Sequence, residues 1–487
     1  MLIKNLQLLF LGVGLALAIL FFTYEHHNGQ WLIPTDTYYY IALADSLLQN
    51  KELLDLTTIP PNPLVTYQNG VPFVYAILKG AGLDNLAAMK VFSLFNLFCW
   101  ISACYPFFKL IELFGITSSL ARGFLLVGFF GSSSLLNFQF TPGTDGVFNS
   151  ASIWLVYLLI FIFKDFFTVE KRDKSSINIM ILSAFLISII TVHFSIRILF
   201  YQSAFLASIL LCKVGNKRKM VLFSVLLIAT TACALASPYF IFKPLMTEEI
   251  SQPYQFLLIS REEPIRIMLS QFLGVGRLLD FINGYLLLFI FLGFLFFSMI
   301  HARIKNEFAI LFISLNILVF LSVNFLLTNS TMVQAGARYM ISTMPLFCLL
   351  VVFFKYSRPI AYLMIATFSA VTILSLASPY PAYCVSTFWT NFYAQTTSLP
   401  DKTILLTDRG RYGYVFLNGR NYTLPLSSLD PSYEHIWLAG SVQFINEKLR
   451  TIKESENFIV EQVTVLKSDH LSGCQSALVQ CDIKKSD

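Results

Sequence analysis

Charge is what this chain has least of. Only 13% of its 487 residues are Asp, Glu, Lys or Arg, against 56% hydrophobic. A soluble domain of that length would need far more polar surface, so a soluble globular enzyme is excluded. Walker A loops, GxGxxG turns, HExxH helices and cysteines at zinc-finger spacing are all missing. Nothing in the sequence is therefore built to handle a nucleotide. The net charge of +6 is no nucleic-acid signal either, because the basic residues fall in short clusters between apolar runs. Internal repeats and low-complexity segments are absent too.

What the chain does have is grease, including 48 Phe. Apolar runs of about 20 residues, long enough to cross a bilayer, recur about eleven times. They are Leu6–Tyr24, Met89–Phe107, Leu120–Phe140, Gly146–Phe163, Ile177–Thr191, Arg197–Leu211, Val221–Phe240, Tyr285–Ile300, Phe308–Leu327, Tyr339–Phe354 and Ala361–Ala377. An all-α polytopic membrane protein is expected. Lys4, Lys171–Lys174, Lys213–Lys219, Arg303 with Lys305, and Lys355 with Arg358 then share one side, which the positive-inside rule makes cytoplasmic. An odd number of spans leaves the C-terminus outside. No small-residue cleavage site follows Leu6–Tyr24, so it reads as a retained anchor. Cys99, Cys104, Cys212, Cys233 and Cys348 lie in the spans as packing residues. Cys474 and Cys481 in the outer tail are a candidate disulfide if that compartment oxidises.

Three long segments fall on the outer face, near 25–85, 243–283 and from 379 onward. In the first, Thr35 caps a helix with a partly apolar stripe broken by Asp45, suited to lie in the interface plane. Pro60, Pro61 and Pro63 then force an extended stretch, and a short helix is expected from Pro72 to Lys79. The second holds Arg261, Glu262, Glu263, Arg266 and Arg277 among apolar residues, again an interfacial helix. The plain alternative is that both are lipid-resting connectors. The third, residues 379–487, changes character. Thr403–Thr407, Tyr412–Leu417 and Phe458–Leu466 predict strands and Ser441–Lys453 a helix. A transmembrane domain over 1–378 and a small extracytoplasmic α/β domain are expected.

Two acids stand at the outer ends of spans. Asp36 lies in Pro34-Thr35-Asp36-Thr37-Tyr38-Tyr39-Tyr40, where a carboxylate ahead of an aromatic helix suits a general base acting on a hydroxyl. Tyr38 and Tyr39 suit a sugar or the headgroup level. The alternative is a first-turn acid stabilised by the helix dipole. Asp145 follows the Thr141-Pro142-Gly143-Thr144 turn and opens a span. Exposed helix-start N–H groups there favour an anion or a metal-bound carboxylate. Arg197, just after His193, and Arg338, beside Tyr339, begin two further spans. Guanidinium groups at that depth suit a phosphate, or they snorkel to hold span depth. Lys79 and Lys90 are lesser cations on the same face. Glu25, His26 and His27 read as an exposed polar loop.

The order of these features resembles the GT-C superfamily of polytopic glycosyltransferases: an acid in the first outer loop, an aromatic helix, a Pro-rich stretch leading to Asn69-Gly70-Val71-Pro72-Phe73-Val74-Tyr75, a span ending Ile111-Glu112-Leu113-Phe114-Gly115, then Thr144-Asp145 opening another span. The superfamily includes protein mannosyltransferases, lipid A aminoarabinose transferases and O-antigen glucosyltransferases. The resemblance is continuous over about residues 1–165, patchier through Arg197 and Arg338-Tyr339, and absent in the tail. It implies that Asp36 is the catalytic base, that Asp145 supports the site or a divalent cation, and that the donor is a polyprenyl-phosphate sugar. Arg197, Arg338, Arg261, Arg266 and Lys79 would hold the donor phosphate, and Tyr38, Tyr39, Tyr339 and His193 the substrate. Thr37 stands where the family often has a second acid, which leaves metal use open between a divalent cation held by Asp36 and Asp145 and none. An envelope glycan or lipid acceptor and a bacterial inner membrane are implied. A lipid-linked glycan flippase, and a polymerase or ligase using a lipid-pyrophosphate donor, are the alternatives. A flippase calls for charges at the bilayer midplane, whereas this chain keeps nearly all its charge at span ends.

Overall fold

The computed structural model describes residues 2–28, 35–56, 62–63, 69–131, 136, 139–167, 174–212, 216–241, 262–272, 282–326, 340–354, 403–407, 434–454, 458–469 and 476–485, with short helical pieces between 358 and 373. They fall into two compact units. One holds residues 1–23, 95–238 and 251–378; the other holds 24–94, 239–250 and 379–487.

Helix dominates, as the apolar runs require. The helices are α1 (Leu2–Asn28), α2 (Thr35–Asn50), α3 (Gly70–Gly80), α4 (Asn85–Ser102), α5 (Cys104–Leu113), α6 (Ser119–Gly131), α7 (Thr144–Phe167), α8 (Lys174–Val192), α9 (Ile198–Leu211), α10 (Lys217–Ile241), α11 (Glu262–Phe272), α12 (Gly284–Lys305), α13 (Phe308–Leu326), α14 (Met344–Phe353) and α15 (Val442–Lys453). Among the described residues, four helical stretches are long and apolar enough to span a membrane, and seven shorter ones are apolar. The run expected over Met89–Phe107 is a longer stretch, Asn85–Leu113, interrupted at Ala103 between α4 and α5. Only short pieces of Ala361–Ala377 are described.

The first unit is built around α7. Its apolar stretch is 83% buried, whereas those of α10 and α12 are 28% buried. So α7 is the inner helix, and α10 and α12 turn most of their surface outward. Helix α12 buries Leu287, Phe291 and Leu295 and exposes Phe289, Ile290 and Phe297. Lipid is as apolar as Phe, so helices here gain from close packing rather than from leaving water. Aromatic stacking supplies much of that contact: Phe163 of α7 on Phe308 of α13 at 3.5 Å between centroids, and Trp100 on Phe129 at 4.0 Å. Helix α11 packs on α12 through Ile265, Met268, Leu269 and Phe272, all buried. That i, i+3, i+4, i+7 stripe is what an interfacial helix needs.

In the second unit α2 packs against α3. The Lys79 ammonium reaches the Asp45 carboxylate and lies 2.5 Å from Asn85 Oδ1. This pairing lets α2 bury Tyr38 and the run from Tyr40 to Leu47, Asp45 included. Strands β1 (Leu54–Asp55) and β2 (Asn62–Pro63) pair antiparallel. In the tail, β3 (Thr403–Thr407), β4 (His435–Ser441), β5 (Phe458–Asp469) and β6 (Ser476–Lys485) form a sheet of order β3-β4-β6-β5, with β3 parallel to β4 and the other pairs antiparallel. Helix α15 covers a core that includes Ile404, Leu406, Ile436, Leu438, Val479, Cys481 and Ile483. Ser441 caps α15 by accepting from the Phe444 N–H at 3.3 Å. The Cys481 thiol is free and buried in that core, and burial pushes it up to about 11. Cys474 and Tyr412–Leu417 lie outside the described residues.

Candidate functional site

Residues 139–145 set the start of α7. The Gly143 N–H donates to Thr141 O at 2.7 Å, closing the Pro-Gly turn, and α7 begins at Thr144. Asp145 therefore sits in the first turn, where the helix dipole favours a negative charge. It is 1% exposed. An isolated buried carboxylate would be costly, and Arg197 answers it.

Arg197 comes from the short connection between α8 and α9. Thr191 O accepts from the N–H groups of Phe194 (2.9 Å) and Ser195 (2.8 Å), and Phe200 N–H reaches back to Arg197 O at 3.0 Å. These tight turns aim the side chain inward. Its Nη2 donates to Asp145 Oδ1 at 2.5 Å, its Nε donates to Ser195 Oγ at 2.7 Å, and its Cζ lies 4.3 Å from the centre of the Phe148 ring. A carboxylate, a hydroxyl and an aromatic face thus fix the guanidinium. One turn further along α9, the Tyr201 hydroxyl pairs with Ser342 Oγ at 3.1 Å, bringing in the 3₁₀ turn Ile341–Thr343 just ahead of α14.

A second polar cluster backs the same helix start. Gln139 Nε2 lies 2.9 Å from Gly146 O, 3.1 Å from Ser150 Oγ and 3.3 Å from Asn96 O. Asn96 Nδ2 donates to Thr141 O at 2.7 Å. Gln139 and Asn96 are wholly buried. Position 146 has to be glycine: a Cβ there would overlap Gln139 O and the Asn96 side chain.

Of the residues expected from sequence to form the site, Asp145 and Arg197 are brought into contact. His193 opens the same connection, half-buried, and burial lowers its imidazole below the ordinary range. Arg266 is half-buried on α11. Lys79, Tyr38 and Tyr39 belong to the other unit, with Lys79 on Asp45, Tyr38 wholly buried and Tyr39 edge-on to Tyr40 at 6.5 Å between centroids. Asp36 lies in the first turn of α2, and its side chain is outside the described residues, as are Arg261, Arg338 and Tyr339. Sequence reasoning missed Gln139, Asn96, Ser195 and Phe148. Asn96 and Gln139, amides inside apolar runs, were the legible signals.

Among the described residues no three His, Cys, Asp or Glu side chains gather as a metal site. Asp145 Oδ1 is held by a guanidinium, which repels a cation. These residues alone do not form a donor set for a divalent ion. What they form is a buried, rigid anion–cation pair at the head of the central helix, with a guanidinium suited by shape to phosphate.

No protein-family model matches the sequence, and no curated protein matches it by sequence. Solved structures do match in fold. ArnT from Cupriavidus metallidurans, bound to undecaprenyl phosphate, aligns over 97% of both chains with a TM-score of 0.54 at 10% identity. The archaeal oligosaccharyltransferase AglB from Archaeoglobus fulgidus, in complex with an inhibitory peptide and a dolichol-phosphate, covers 88% of this chain and 69% of its own with a TM-score of 0.52, also at 10% identity. The fold is thus shared with ArnT over nearly the whole chain: a multi-pass array of apolar helices with a small C-terminal sheet domain.

Proposed function

We propose that this chain is a membrane glycosyltransferase that moves a sugar from a polyprenyl-phosphate donor to a cell-envelope acceptor, a glycan such as O-antigen or a lipid. The observation that carries the reading is the Asp145–Arg197 pair, buried at the head of α7, in a fold shared over 97% of its length with a protein bound to undecaprenyl phosphate. The active face is the extracytoplasmic one, with the N-terminus in the cytoplasm of a bacterial inner membrane and residues 379–487 outside.

In the proposed step the Asp36 carboxylate takes the proton of an acceptor hydroxyl. The oxygen forms a bond to the anomeric carbon from the face opposite the phosphate. The carbon–oxygen bond to phosphate breaks, and polyprenyl phosphate departs with the electron pair, so the configuration inverts. Negative charge grows on the phosphate as that bond breaks. Arg197, with Arg338, Arg261 and Arg266 as further candidates, answers that charge, a role worth roughly 3–4 kcal/mol for one well-placed donor. Asp145 holds the Arg197 fork in a single orientation, so its electrostatic work needs no rearrangement when the bond breaks. His193 and Tyr339 flank the arginines in sequence and are proposed for the sugar.

The test is sugar transfer in membranes carrying Asp36→Asn. Loss of general-base assistance should slow transfer by roughly 10²–10⁴. Full activity would remove Asp36 from the reaction.

A further inference from the structure

We infer that Gln139 is a positioning residue for the Asp145–Arg197 pair, acting through a buried carboxamide staple with Asn96; the inference rests on the transferase reading above. The Gln139 amide ties its own place, ahead of the Thr141–Gly143 turn, to two helices at once: Asn96 O on α4, and Gly146 O and Ser150 Oγ on the first two turns of α7. Asn96 grips that turn from the other side through Thr141 O. Ser150 Oγ also donates to Gly146 O at 3.0 Å, so this carbonyl, one residue from Asp145, is held from two directions.

A staple of amides is an expensive way to fill space. An apolar side chain of equal size would pack there without desolvating an amide. What the amide adds is direction: two N–H donors shared among three acceptors on two helices can be satisfied only in one arrangement. That arrangement sets the height and rotation of the first turn of α7, and with them where the Asp145 carboxylate meets the Arg197 fork. The missing Cβ at Gly146 is what lets Asn96 and the Gln139 backbone close on the helix. The pair is therefore anchored from both flanks, by the α8–α9 connection on the cation's side and by the staple on the anion's. Misplacement of reacting groups by about 1 Å costs about 10²-fold in rate, so Gln139 acts on turnover without touching substrate.

The test is a kinetic cycle on the full-length protein in membranes. Gln139→Met keeps the volume and removes the donors; Ser150→Ala, a milder cut, covers failure of the first to fold. We expect kcat to fall by about 10–100-fold for Gln139→Met and several-fold for Ser150→Ala, with the donor KM changed less than about threefold. In an Arg197→Lys background, which keeps the charge but loses the fork, either change should add less than about twofold, because residues acting through one pair are not additive. An unchanged kcat, a parallel rise in KM, or effects that multiply in the combined variants would overturn the inference alone. A wild-type chain that transfers sugar from no polyprenyl-phosphate donor would overturn the transferase reading and this inference with it.

Discussion

The Asp145–Arg197 pair makes a thermodynamic prediction that does not depend on knowing the substrate. Its side chains are 1% and 8% exposed, so the discount that applies to surface pairs is small here. Charge centres about 4 Å apart attract by about 4 kcal/mol at an effective dielectric near 20. Desolvation offsets much of that in the intact pair, but a lone survivor keeps the desolvation cost without the attraction. Removing one partner should therefore cost about 3–5 kcal/mol, whereas removing both should be close to neutral. The experiment is a double-mutant cycle of Arg197→Met, Asp145→Asn and the combination, followed by reversible unfolding in mixed micelles. Each single variant should be markedly less stable than wild type, and the combined variant should recover most of the loss. The coupling energy, the two single losses less the loss of the combined variant, should be about 6–10 kcal/mol. Transfer should not recover with stability, since the guanidinium is gone. Losses that simply add, with coupling under about 1 kcal/mol, would refute the claim that the two charges are buried as a pair.

Two further outcomes test the surroundings. Gly146→Ala forces a Cβ into Gln139 O and Asn96; overpacking of this kind should cost about 1–3 kcal/mol, read as a lower melting temperature, and a melt like that of wild type would contradict the close approach. His193 is held below its ordinary pKa by burial, so the fold favours the neutral ring and the unfolded chain protonates first. Stability should be complete above about pH 6.5, the unperturbed value, and should decline as pH falls through the lower folded-state pKa. His193→Asn should flatten that decline, and an unaltered acid slope would assign it to other groups.

Much of the membrane part was legible because a long apolar run declares itself without any contact being known. Phe308–Leu327 was expected and Phe308–Leu326 is found; Thr403–Thr407 was expected and is β3. In the tail, β4 and β6 were missed. Val479, Cys481 and Ile483 do alternate inward on β6, but Gln480, Asp482 and two lysines dilute its β-propensity, as Ala439 and Gly440 do on β4. Helix α2 misled in a different way. Asp45 looked like a break in an apolar stripe, whereas its partner Lys79, 34 residues on, neutralises it and allows the run from Tyr40 to Leu47 to be buried.

The same limit governed the site. Sidedness alone placed Asp145 and Arg197 on one face of the membrane, since each opens a span there, but nothing in the sequence joined them. The reason lies in α7. A helix facing water on one side carries a 3.6-residue stripe that tells which side chains point inward. Helix α7 is apolar and buried nearly all round, so it has no stripe, and its rotation is encoded only by what grips it. The grips are Gln139, Asn96 and the bare Gly146 on one flank and Arg197 on the other. Polar residues in an apolar run are the only record of azimuth such a helix can keep. Asn96 and Gln139 were therefore the legible trace of the site's geometry, and Arg197, read from sequence as a phosphate ligand or else a snorkelling cation, is also the internal partner that fixes where the helix turns.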